Sequence, residues 1–186
     1  MIVRVAGIDP ALRNMGIASM SFDTESMRLA LLDLQLIETE KQSGKTVRQN
    51  SDDLRRAKEL VSNLHTAVTD CTVVFAEIPT GAQSARAALS FGVAIGVMAS
   101  CPVPIIQVQP WETKLATVGT KTASKAEMIE WAGETYPDGP WLRRKLHGKQ
   151  VLVDKNEHLA DACAVVHAGI KTDEFQRLLS FWRAAK

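Results

Sequence analysis

The stretch Asn156-Glu157-His158-Leu159-Ala160-Asp161-Ala162-Cys163-Ala164-Val165-Val166-His167 decides how this chain is read. It has the marks of a helix: Asp154 or Asn156 to cap it, Glu157 in its first turn and Gly169 to close it. His158 and Asp161 are three residues apart and share a face. Beyond them the helix is apolar on nearly every side, the pattern of a buried helix. An aspartate at the edge of such a surface is costly unless something compensates its charge. Two readings stand at this point. Asp161 bonds a nearby backbone amide and His158 lies at the surface, or both belong to a functional site; structural networks also hold buried acids.

Outward from that stretch, the 186 residues suit one domain with a real core. We expect residues 1–186 to form a single domain, with 171–186 as a C-terminal helical extension. A 46% hydrophobic, 23% charged composition is that of a soluble globular chain and argues against disorder. A net charge of +1 gives no overall basic signature, so a nucleic-acid partner must be argued from local patches. Cys71, Cys101 and Cys163 are far apart, odd in number and without a C-x-x-C pair. That suggests neither a zinc ribbon nor a disulfide framework and fits a reducing compartment. Met1 to Asp9 runs straight into a strand pattern with no signal-peptide architecture. The apolar stretch Gly92 to Ile106 is broken by Pro102 and Pro104 and is too short to span a bilayer. The expected location is cytoplasmic, at the nucleoid or in the host cytoplasm of a virus, or organellar; no membrane partner is expected.

Ile2 to Ile8 alternates, is β-branched and stops at Asp9-Pro10, as a strand before a turn does. Asn14 to Phe22 and Arg28 to Glu38 read as two more strands joined by short turns, an antiparallel meander. Lys41 to Asn50 is polar and loop-like. Its Ser43-Gly44-Lys45-Thr46 resembles the tail of a phosphate-binding loop, but Thr39 stands where that motif needs its earlier glycine. Ser51 to Val68 has helical spacing at Leu54, Ala57, Leu60, Val61, Leu64 and Val68. Cys71 to Ile78 is a continuous apolar run, as in a parallel strand buried on both faces, and it contains Glu77 just before Pro79. Ala82 to Ser100 predicts a helix in which Gly92 and Gly96 permit close packing. Pro104 to Val108 predicts a short strand, Pro110 opens a short helix, and Ser124 to Tyr136 predicts another. Gly139 to Lys149 reads as a basic loop bearing Arg143, Arg144, Lys145 and Lys149. A last amphipathic helix runs from Thr172 to Arg183. This order predicts an α/β fold: a ribonuclease H-like mixed five-stranded sheet flanked by helices.

Such a fold would bring three acids together: Asp9 ending the first strand, Glu77 ending the buried strand, and Asp161, with His158, on the late helix. Asp before Pro is also a common turn starter, and Glu77 could simply emerge into solvent. Yet charges are rare in the company of Val73, Val74, Phe75 and Ile78. Clustered carboxylates repel unless a divalent cation sits between them, and an oxygen-rich set with few nitrogens favours Mg²⁺ or Mn²⁺. Two such ions about 4 Å apart activate water and stabilise the leaving oxygen of a phosphodiester.

Gly7-Ile8-Asp9-Pro10, followed by Arg13 and Gly16, resembles the first motif of the RuvC family of Holliday junction resolvases. Ala76-Glu77-Ile78 is similar to its second acidic motif, with Gly92 and Gly96 at the matching spacing. Pro110, Lys114, Gly119, Ala123 and Lys125 resemble its lysine-bearing stretch. His158-Leu159-Ala160-Asp161-Ala162 resembles its last motif, which opens on Asp or His. The match covers roughly residues 1 to 170. Each motif alone is weak, and the four in order are specific.

The resemblance implies a homodimeric, Mg²⁺-dependent endonuclease, with Mn²⁺ able to substitute and two ions per site. It would cut two strands of like polarity at a four-way junction. Asp9, Glu77, His158 and Asp161 would be the metal-binding and catalytic residues. Lys114 and Lys125 would hold phosphates near the scissile bond; a solvated helix face is the plain alternative for both lysines. The chain departs from the pattern in three places. Ala11 replaces the family's glycine after Asp-Pro. Thr80 stands where the family has an aromatic residue that wedges into the junction. The basic stretch Gly139 to Lys149 looks like an addition, in which Trp141, Arg143 and Arg144 contact DNA by stacking and charge or form an ordinary loop with one anchored aromatic. These departures suggest a divergent member, virus-encoded or organellar. The rival readings are a ribonuclease H-like nuclease acting on other branched DNA or on RNA–DNA hybrids, and a non-catalytic DNA-binding scaffold of the same fold. An actin-like nucleotide-binding domain also starts on Gly-Ile-Asp, but needs a longer, duplicated chain and a glycine phosphate loop.

Overall fold

The computed structural model describes residues 1–42, 44 and 48–184; most of the Ser43–Thr46 stretch falls outside them. Three strands open the chain: β1 (Ile2–Asp9), β2 (Asn14–Asp23) and β3 (Leu29–Glu38). They pair as the expected antiparallel meander, with Ile8 opposite Ile17 and Asn14 opposite Glu38. Ala11 does not adopt a positive φ, so the turn after Asp9 has no need of glycine. Helix α1 (Gln49–Val68) then crosses to β4 (Val73–Ala76), which lies parallel to β1. Helix α2 (Ala85–Ala99) crosses to β5 (Ile105–Gln107), parallel to β4. The sheet order is β3-β2-β1-β4-β5. It is the mixed five-stranded α/β sheet that the sequence predicts. Every residue of β4 is buried, as its unbroken apolar run requires.

Short helix α3 (Pro110–Thr117) and α4 (Lys125–Thr135) follow, each closed at its start by a capping box, Gln109/Glu112 and Ser124/Glu127. Helix α5 (Asn156–Gly169) lies across β1 and β2 and is buried along most of its length. Two glycines let it come this close. A Cβ at Gly7 would collide with the Ala162 carbonyl oxygen, and one at Gly16 with that of His158. The last helix, α6 (Asp173–Ala184), seats Phe175 edge-on to Phe22 and Phe75, at 5.3 and 5.2 Å between ring centres. It is thus part of the core rather than an appendage to it.

Some expectations need correction. The basic stretch after Gly139 is not a loop: β6 (Arg143–Leu146) and β7 (Lys149–Leu152) form a separate antiparallel hairpin. Trp141 is 6% exposed and donates its indole N–H to the Tyr136 carbonyl at 2.7 Å, so it anchors the hairpin's approach and cannot stack on DNA. Gly92 and Gly96 face open space, with nothing among the described residues within 4 Å of a Cβ built there. Asn156 is not a cap; it lies inside the first turn of α5 and is wholly buried. Leu54, counted toward the core face of α1, is 56% exposed.

Candidate active site

The register of the sheet sets the site. Ile8 pairs with Ala76 across the parallel strands, so the next residues, Asp9 and Glu77, leave the sheet side by side at one end. The close approach of α5 at Gly7 and Gly16 then brings the first two turns of that helix over the same end, carrying His158 and Asp161. His158 Nδ1 is 2.7 Å from Asp9 Oδ2. Since the carboxylate accepts, Nδ1 carries the proton, and Nε2 is left facing the Asn14 amide nitrogen at 3.1 Å. Glu157 Oε1 lies 3.5 Å from the same Nε2. The hydrogen bond to Asp9 is the main reason the His158 imidazolium persists above its ordinary range.

Glu77 is partly buried. Burial first, and the charge of Asp9 second, push its carboxyl up to about 6. The Thr113 hydroxyl donates to it at 3.5 Å, and Lys114 opposes the rise. Asp161 is the most perturbed acid of the group. Burial, then Asp9 and Glu77, push it up to about 7, with His158 offsetting part of the repulsion. Among the described residues no hydrogen bond and no ion pair reaches its carboxylate. The reading in which Asp161 satisfies a backbone amide therefore fails. Lys125, at the start of α4, pairs with Glu157 at 2.6 Å, and the charges of Asp161 and Asp9 also act on it. Both lysines singled out in the sequence thus stand beside the acids, whereas Arg143 and Arg144 lie on the exposed hairpin.

Sequence reasoning passed over Asn14, Thr113 and Glu157. Only their places beside a motif, one residue from Arg13, Lys114 and His158 respectively, could have flagged them. Among the described residues no three His, Cys, Asp or Glu side chains converge tightly enough to cage an ion as they stand. In donor chemistry the set nevertheless suits a hard divalent ion, with three carboxylates and one imidazole. Asp161, charged only at a cost and without a partner, is the position that calls for a cation.

No protein-family model matches the chain, and no curated protein matches it by sequence. Solved structures do. Thermus thermophilus RuvC superposes with a TM-score of 0.63 at 20% identity, over 97% of this chain and 97% of that one. The fold is that of RuvC. Thermus thermophilus RuvC in complex with a Holliday junction substrate gives 0.64 at 20% identity, over 89% of this chain and 92% of that one. The fowlpox virus Holliday junction resolvase gives 0.51 at 15% identity, over 89% and 95%. At these identities the likeness to RuvC is one of fold, and the chemistry rests on the side chains above.

Proposed function

We propose that the protein is a structure-selective DNA endonuclease that resolves four-way junctions by paired, divalent-ion-dependent phosphodiester hydrolysis. The observation that carries this reading is the uncompensated Asp161 carboxyl, held beside Asp9 and Glu77 at one end of a RuvC-like sheet. Asp9, Glu77, Asp161 and His158 would hold Mg²⁺, or Mn²⁺ in its place, two ions to a site. When bound, these ions supply an activated water and charge stabilisation at the leaving oxygen. His158 is oriented by Asp9 and Asn14 and can take a proton only in its neutral form. Lys114 and Lys125 neutralise phosphate charge next to the acids.

Junction resolution needs two sites in one assembly, and a two-fold dimer provides them. The surface that fits is the exposed apolar side of α2, with Leu89 and Ile95 46% and 43% exposed. Beside it runs a groove of about 580 Å³ against α1, lined by Leu54, Val61, Leu89 and Val93. A gel assay on a four-way junction, beside duplex, flap and RNA–DNA hybrid substrates, tests the proposal. We expect Mg²⁺-dependent cutting of the junction in preference to duplex. Preferential cutting of flap or hybrid would replace the junction assignment with the other nuclease reading, and binding without cutting under any metal would leave a scaffold.

A further inference from the structure

The hairpin β6–β7 carries a charge out of proportion to its size. Residues 143–152 hold Arg143, Arg144, Lys145 and Lys149 and no acid, so they carry +4 while the rest of a +1 chain carries −3. Every residue from Arg143 to Gln150 is exposed, and among the described residues none of the four cations has an ion-pair partner. His147 and Gly148 form the turn with φ of 48° and 79°. Two positive φ values in a two-residue turn keep the ribbon tight and twisted. With four residues to a strand it is about 14 Å long.

The cations are arranged on both faces. Residues directly opposite in an antiparallel pair share a face. Lys145 opposes Gln150 and shares its face with Arg143; Lys149 opposes Leu146 and shares its face with Arg144. A ribbon laid flat on a phosphate surface needs one cationic face. A ribbon cationic on both suits the space between two phosphate walls. The major groove of B-form DNA, about 12 Å wide, admits a two-stranded ribbon, whereas the minor groove, about 6 Å wide, does not.

The base of the hairpin is fixed to the active site. Asn156 Oδ1 accepts from the Leu142 amide at 3.0 Å, and its Nδ2 donates to the carbonyls of Leu142 and Val153 at 2.8 and 3.0 Å. This buried side chain sits in the first turn of α5, two residues before His158. The Asn156 amide, together with Trp141 and the Val153–Leu142 backbone bond, therefore ties the base of the ribbon to the start of α5.

We infer that the hairpin enters the major groove of a duplex arm flanking the scissile phosphate, with Arg143 and Lys145 facing one backbone and Arg144 and Lys149 the other. The inference rests on the DNA-nuclease reading and adds the groove and the arm. The test is dimethyl sulfate probing of guanine N7 on a four-way junction bound in EDTA, where nothing is cut. Wild-type protein is compared with R143A/R144A/K145A/K149A, whose substitutions are all at the surface. Wild type should shield N7 positions in the arm next to the cleavage point, and the variant should leave them reactive. The variant's affinity should fall less steeply with salt, by about 0.9 in log–log slope for each phosphate it no longer neutralises. Replacing that arm with RNA duplex, whose major groove is too narrow for the ribbon, should abolish the shielding. Equal N7 reactivity with both proteins, an unchanged salt slope, or shielding that persists on the RNA arm would overturn the inference. Wild type that binds and cuts junctions with no hairpin-dependent footprint would remove this inference alone. Failure to bind any DNA would remove the nuclease reading along with it.

Discussion

At the residue scale the account turns on Asp161. Its carboxyl is pushed up to about 7 in the fold against 3.8 in a free chain. The unfolded carboxyl therefore ionises while the folded one keeps its proton, and stability falls as pH rises from about 4 to 7, then levels off. At 1.4 kcal/mol per pH unit the full effect is on the order of 4 kcal/mol. We expect Asp161→Asn, measured by urea unfolding in EDTA at pH 8, to be 2–4 kcal/mol more stable than wild type (an order-of-magnitude range from the same linkage). At pH 5 the gain should be much smaller. The same variant should not cut DNA. A less stable Asp161→Asn at pH 8 would show that the carboxylate is compensated within the chain. Asp9, Glu77 and Asp161 were legible in the sequence because each interrupts or ends an apolar pattern. Asn14 and Asn156 were not, because a polar residue at an element's edge reads as a cap or turn until its partners are seen.

At the element scale, helix α5 joins core and site. Its far end buries His167, whose Nε2 is hydrogen-bonded to the Tyr136 hydroxyl at 2.7 Å and whose ring stands edge-on to Trp131. Burial pulls the imidazole down to about 4 from 6.5. Unfolded His167 gains a proton below pH 6.5 and folded His167 only below about 4, so its contribution to stability is whole above 6.5 and is lost as pH falls toward 4. The loss is on the order of 3 kcal/mol. We expect part of the acid destabilisation seen in denaturant melts between pH 7 and 4 to vanish in His167→Gln; an identical pH slope would refute it. The strands and helices of the main sheet were legible from periodicity, since each buries one face or both. The hairpin was not: from Arg143 to Gln150 it is exposed on both sides, so no alternation marks it, and its His147-Gly148 turn lacks the usual Asn or Asp. Helix α2 was legible only in part. Its small and apolar residues suggested close packing, against a second copy or inside its own core, and Gly92 and Gly96 face open space.

At the scale of the whole molecule, the apolar surface of α2 and the cationic hairpin are two exposed faces. If α2 is a two-fold interface, light scattering should give a dimer for wild type and a folded monomer for Leu89→Glu with Ile95→Glu. A dimer that survives both changes would move the interface elsewhere. Lys114→Ala with Lys125→Ala should weaken junction binding most at low salt, since phosphate contacts release counterions; a salt dependence like that of wild type would contradict their role. A supercoiled plasmid bearing an extruded cruciform tests paired sites and metal-dependent cutting at once. Two coordinated cuts across the junction convert the plasmid to a linear product within one binding event, whereas independent cuts leave nicked circles. We expect linear product with Mg²⁺ or Mn²⁺, and none in EDTA or with Asp161→Asn. Nicked circles alone, or linear product undiminished in Asp161→Asn, would contradict the account.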